Sequence, residues 1–194
     1  MSQDIIEKAK GFLMDPAETF RNAQSDDLGE AFKYFAIILA INSVLSGLLV
    51  MAGVGAATEI PGMALGIAGS FASGIAAIVG TFIGGIIGLF IGGIIVHIFV
   101  ALIIGGNGIE QTIKALIYGA TPGMLLGWIP FIGIIGGLWS LVLYIIGIRE
   151  LHDTTTGKAA VAVLLPVIIL VALLVMLAFV VAGLIIAGGA MSAA

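Results

Sequence analysis

The sequence predicts an all-α, polytopic membrane protein with five transmembrane helices, its N-terminus cytoplasmic and its C-terminus extracytoplasmic. Three observations predict it. Apolar residues make up 61% of the chain and charged residues only 9%, whereas soluble domains are about half apolar and about a quarter charged. Uncharged apolar runs recur at the length of about 20 residues that a helix needs to cross the hydrocarbon layer. Five crossings also place all seven basic residues, Lys8, Lys10, Arg21, Lys33, Lys114, Arg149 and Lys158, on one side, as the positive-inside rule requires. A transmembrane barrel would show short segments of alternating polarity, and none is present. The absence of cysteine excludes disulfides, thiol catalysis and Cys-based metal sites. No cofactor and no nucleic-acid partner is expected; the lipid bilayer is.

Residues 1–30 form an N-terminal segment distinct from the transmembrane domain of 31–194. Ile5, Ile6, Ala9, Phe12 and Leu13 fall at helical spacing beside Glu7, Lys8 and Lys10, the pattern of an amphipathic helix lying in the interface. A docking or lipid-sensing role is the alternative. Asp15-Pro16 breaks this helix, and Asp15 with Glu18 can cap a second one that turns Phe20 towards the membrane. These residues mix acids and bases without an apolar core, so a cleavable signal peptide is not expected. Ser25-Asp26-Asp27 with Glu30 caps the first span, 33–56. Tyr34 stands where an interface aromatic is expected. Asn42 and Ser46, one turn apart, should face other helices.

Residues 63–104 carry no charge, too long for one ordinary span and barely enough for two. A single crossing at 74–104 keeps Lys114 on the side of the other bases, with 63–73 a partly embedded outer lead-in, re-entrant or not. In this span Ala76 precedes Gly80, Gly84, Gly88 and Gly92. Four-residue spacing lays these glycines on one face, a groove that lets another helix approach closely. Packing within the chain is the plainer reading, a homo-oligomer interface the sharper one, and a pore lining a third. His97, an ionisable residue about two turns inside the inner end of this span, is a functional candidate by its position, though a neutral imidazole bonded to a hydroxyl or carbonyl would be structural.

Gly105-Gly106-Asn107-Gly108 turns the chain, and Asn107 with Glu110 resembles a capping box for the third span, 109–127. Thr121-Pro122-Gly123 falls in its middle, where proline removes a backbone bond and kinks the helix. Trp128 and Phe131 mark the outer interface before the fourth span, 131–148, and Tyr144 the inner one. Thr154-Thr155-Thr156 caps the fifth span, 159–187, which Pro166 should bend. Asn42, Thr121 and Ser140 all fall near mid-bilayer, where polar groups must find partners among themselves or with carbonyls freed by Pro122. A convergence of the first, third and fourth spans into a small polar centre, with Ser46 nearby, follows.

Arg149, Glu150, His152 and Asp153 crowd the inner end of the fourth span. Two carboxylates and a histidine could hold a metal, but the plainer reading is a solvated helix end, and no metal site is expected. Thr156-Gly157-Lys158 fails as a phosphate-binding loop, since His152 occupies the required glycine position. No serine, lysine or carboxylate pair sits where intramembrane catalysis could use it, so no catalytic residue is named and an enzyme is not expected.

A tyrosine-bearing approach at Tyr118, then Thr121-Pro122, a Trp-containing helix, Gly147-Ile148-Arg149-Glu150-Leu151-His152 and Lys158-Ala159 resemble the Yip family of Ypt/Rab-interacting membrane proteins. Gly105-Gly106-Asn107-Gly108 and Asp15-Pro16-Ala17-Glu18-Thr19-Phe20 extend the likeness. The resemblance implies five spans, a cytosolic N-terminus and a short exposed C-terminus. In eukaryotic relatives it further implies Rab GTPase binding, vesicle traffic and pairing with related membrane proteins. Those relatives carry a long N-terminal region with an Asp-Leu-Tyr-Gly-Pro motif that this sequence lacks, which puts small-GTPase binding in doubt. The compact form resembles the prokaryotic branch and so implies the cell membrane. The expected function is non-enzymatic organisation of membrane, lipids or partner proteins, as a monomer or homo-oligomer. A small-solute transporter or channel with a kinked-helix midplane site is the alternative.

Overall fold

The structure is a computed structural model that describes residues 2–54 and 71–192, with side chains over 5–54 and 71–183. All regular elements among them are helical: α1 (Ser2–Met14), α2 (Pro16–Asn22), a 3-10 turn (Ala23–Ser25), α3 (Leu28–Met51), α4 (Phe71–Ile103), α5 (Ile109–Gly119), α6 (Thr121–Leu126), α7 (Ile132–Leu151) and α8 (Thr156–Ser192). The helix starts follow their expected chemistry. Asp15 accepts from the Glu18 N–H and Asp27 from the Glu30 N–H, each satisfying an orphan donor of a first turn. Thr155 receives the Lys158 N–H at 3.4 Å.

Helices α3, α4, α7 and α8 are long and apolar enough to cross a membrane. α3 and α4 run antiparallel, with Gly47 meeting Ile78 and Leu39 meeting Gly85. Gly93 meets Ile113 across α4 and α5, and Gly119 meets Tyr144 across α5 and α7. The expected third span is broken, as its proline predicts. α5 ends at Gly119 and α6 restarts at Thr121, so neither helix alone has the length to cross. End to end, residues 109–126 reach about 27 Å at 1.5 Å per residue. Pro166, by contrast, lies inside α8 without ending it.

Several expectations are corrected. The N-terminal segment is not a helix lying apart on the surface: Phe12 and Phe20 are fully buried and share one core with Tyr34, Tyr118 and Leu143. Tyr34 and Tyr144 both face neighbouring helices. Tyr34 is buried, and the Tyr144 ring lies against Gly119, where a Cβ would meet it at 2.5 Å. Asn107 does not cap α5: the N-cap is Gly108, with no side-chain bond. The stripe of Gly80, Gly84, Gly88 and Gly92 does not pack against another described helix, since a Cβ at any of them would meet nothing within 4 Å. The close approaches of α4 use the neighbouring register instead, Gly74 against Met51, Gly85 against Leu39 and Gly93 against Ile113. The lead-in at 63–73 falls almost wholly outside the described residues.

Candidate functional site

The end of the bundle that carries the N-terminal helices, here called the inner end, is a packed layer built by α1 and α2 folding over α5. Phe12 stacks on Tyr118 with ring centroids 4.7 Å apart and tilts against Phe20 at 4.8 Å, while Tyr34 closes on Tyr118 at 5.4 Å. Gly147 makes room for this, because a Cβ there would lie 2.8 Å from the Phe20 ring. Asp26 is the fastener. Its Oδ2 accepts from Lys8 Nζ at 2.6 Å and from the Tyr118 hydroxyl, and Lys8 lies over the Tyr118 ring. Lys114, 1% exposed, donates to the carbonyls of Gln24 at 3.0 Å and Asp26 at 2.9 Å and lies 3.9 Å from Glu110. A buried ammonium needs such partners, and here carbonyls of the N-terminal segment supply them.

Beside this layer the chain's two histidines are joined. The Asn107 N–H donates to His152 Nδ1 at 2.9 Å, His152 Nε2 lies 3.0 Å from Thr112 Oγ1, and that hydroxyl lies 2.9 Å from His97 Nδ1. A backbone N–H can only donate, so Nδ1 of His152 carries no proton and its Nε2–H faces Thr112. Burial first, and then the neighbouring His97, push His152 down to about 4, against a smaller upward pull from Asp153. The Asn107 amide also reaches the Leu151 carbonyl at 3.1 Å and Asp153 at 3.3 Å, capping the end of α7 rather than the start of α5. His152 is therefore no solvated group, and it points away from Glu150, which pairs with Arg149 and, at 3.7 Å, with Arg21 of α2. Among the described residues no group of three or more His, Asp or Glu could hold a metal ion. Lys158 is exposed.

Higher up, α3 and α7 hold the two ends of the broken pass. Pro122 offers no N–H to the Tyr118 carbonyl, and Thr121 Oγ1 donates to it instead at 2.6 Å. Tyr34 then donates to Thr121 across 2.8 Å. Ser140 of α7 accepts the Gly123 N–H at 2.8 Å, and Asn42 of α3 donates to the Met124 carbonyl at 2.6 Å. The first, third and fourth expected spans thus converge here. Asn42, Thr121 and Ser140 do not bond to one another, however; Thr121 and Ser140 serve backbone groups left over at the break, and Asn42 a carbonyl in the last turn of α6. Ser46 lies one turn beyond Asn42, half-buried. Sequence reasoning missed Thr112, whose isolated hydroxyl gave no signal, and the inward turn of His152, hidden in a run of charges.

Between these layers lies a cavity of about 640 Å³. Gly84, Gly88 and Gly92 of α4 form one wall and Gly137, Ser140, Leu141 and Tyr144 of α7 another, with Val163 and Val167 of α8 alongside.

A family model described as the Yip1 domain matches residues 10–191. No curated protein and no solved structure matches the chain.

Proposed function

Because the chain belongs to the Yip1 domain family, we propose that this multi-pass integral membrane protein acts without catalysis, organising membrane lipids or partner proteins from a rigid cytoplasmic face. The observation that carries this reading is the inner layer. Its aromatic stack, the Asp26 knot and the buried Lys114 fix the N-terminal helices to the bundle, so α1 presents a set surface in which Ile6 and Met14 are exposed beside Glu7 and Lys10. In this reading α5–α6 is the third of five crossings, the N-terminus is cytoplasmic and the C-terminus is outside, in the cell membrane of a prokaryote. The one-sided placement of Lys and Arg supports that orientation. A reporter joined before Met1 should report the cytoplasm and one after Ala194 the exterior; the same side for both would sink the five-crossing reading.

The broken pass favours a second reading, a small-solute transporter, since transporters bind at interrupted helices near the midplane. Against it, the polar atoms at the break are taken up by backbone groups. Two measurements separate the readings. Solute flux in proteoliposomes that disappears in Asn42→Leu and Thr121→Val supports transport. Reproducible capture of a partner by the intact protein, lost when Ile6 and Met14 become Glu and accompanied by no flux, supports the organising role.

A further inference from the structure

The cavity walled by the α4 glycines has the shape and chemistry of a hydrocarbon site. Its lining carries no charged residue, and its polar groups are hydroxyls, those of Thr81, Ser140 and Tyr144. The Ser140 oxygen is already occupied by the Gly123 N–H. A site for a polar solute needs convergent polar groups to orient it, whereas these walls present methyls, methylenes and bare backbone. The cavity is also long and thin. Its α4 wall runs from Thr81 to Val96, about 22 Å at 1.5 Å per residue. A volume of about 640 Å³ spread over that length makes a narrow groove rather than a round chamber.

Position points the same way. Every lining residue lies within the run from α3 to α8, the helices that form the passes of the proposed topology. Beyond Val167 all faces of α8 are exposed as far as Gly183, so this helix does not close the outer part of the cavity from the side. Left empty, walls this extensive would forfeit their dispersion contacts, and the surrounding bilayer consists of chains that restore them. We propose that the cavity binds one acyl chain of a bilayer phospholipid, laid along the bare face of Gly84, Gly88 and Gly92 and backed by Gly137 and Tyr144.

Open Cβ positions make the test clean, because Gly84, Gly88 and Gly137 have nothing within 4 Å for an added side chain to strike. The protein is reconstituted in vesicles of phosphatidylcholine and phosphatidylglycerol doped with phosphatidylcholine bearing a mid-chain diazirine, irradiated, and its cross-linked peptides are mapped. Cross-links in 84–96 and 137–144 should exceed those on the lipid-facing stretch 171–181 at least fivefold. Gly88→Leu should cut the cavity cross-links at least fivefold while leaving those on 171–181 and the melting temperature unchanged. Gly137→Leu, from the opposite wall, and Gly84→Leu repeat the test should Gly88→Leu fold poorly. Cavity cross-links no denser than those on 171–181, or unchanged when the cavity is filled, would overturn the proposal. So would a wild-type oligomer that the filled variants release as monomers.

Discussion

The inner and outer halves of this bundle are held by different means. The inner half contains many of the fully buried side chains, among them Phe12, Phe20, Tyr118, Lys114, Thr112, Leu143, Ile148 and Leu151. They interlock as the core of a soluble protein does, with aromatic rings stacked and tilted and Thr112, Lys114 and Tyr118 each bonded to other segments. In the outer half, α8 past Pro166 turns every described side chain outward, and the helices approach mainly where Gly47, Gly74 and Gly85 permit. Interlocked side chains hold the first kind of packing, whereas in the second lipid competes equally for apolar surface. Substitutions of the same size should therefore have unequal effects at the two ends.

The largest effect belongs to the aromatic stack. Phe12→Ala should cost about 3–5 kcal/mol, the range for a fully buried aromatic, whereas Leu174→Ala on the exposed stretch of α8 should stay within about 0.5 kcal/mol. Thermal melting in detergent micelles reads both, and equal shifts would erase the contrast between the halves. The buried imidazole comes next. His152 titrates at about 4 in the folded protein against 6.5 when free, so the unfolded chain binds the proton first. Its stabilisation is complete above pH 6.5 and declines by about 3 kcal/mol as pH falls to 4, at 1.36 kcal/mol per pKa unit. His152→Gln should flatten most of that slope in melts run from pH 7 to 4; an unchanged slope would place the acid sensitivity elsewhere.

Within the outer half, two neighbouring glycines sharpen the comparison. Gly85→Leu drives a side chain into Leu39, 2.6 Å from the new Cβ, and overpacking of this kind costs about 1–3 kcal/mol. Gly88→Leu should leave the melting temperature in place. Reversal of that order would mean that the stripe one position over makes the helix contact. The smallest effect is Asn42→Leu, about 0.6 kcal/mol, the average for a side-chain hydrogen bond inside a membrane. A loss several times larger would show that the Met124 carbonyl finds no substitute donor.

What could be read from the sequence follows the same division. The long apolar passes and the break at Pro122 were legible because length and a missing N–H act locally. The convergence of Asn42, Thr121 and Ser140 was legible too, because depth along each helix can be counted. Burial of the N-terminal segment was not: Ala9 and Phe12 make the same stripe whether they face lipid or Tyr118. The glycine register was ambiguous for a similar reason. Gly84-Gly88-Gly92 and Gly85-Leu89-Gly93 lie side by side on α4, and periodicity cannot say which faces a partner. The link from His152 through Thr112 to His97 joins positions 40 and 15 apart, and charge density at the end of α7 suggested water instead.

The Asp26 knot also sets a schedule for synthesis. Its partner Tyr118 lies 92 positions further along the chain, and Lys114 is 88 positions from Asp26. A ribosome adding about 5–20 residues per second needs about 5–18 seconds to cover that distance. Throughout that interval α1 and α2 have emerged while the surface that receives Phe12 and Phe20 does not yet exist. The first part of the protein to be made is therefore among the last to reach its place, and two phenyl rings must wait until α5 has been made and folded beside them.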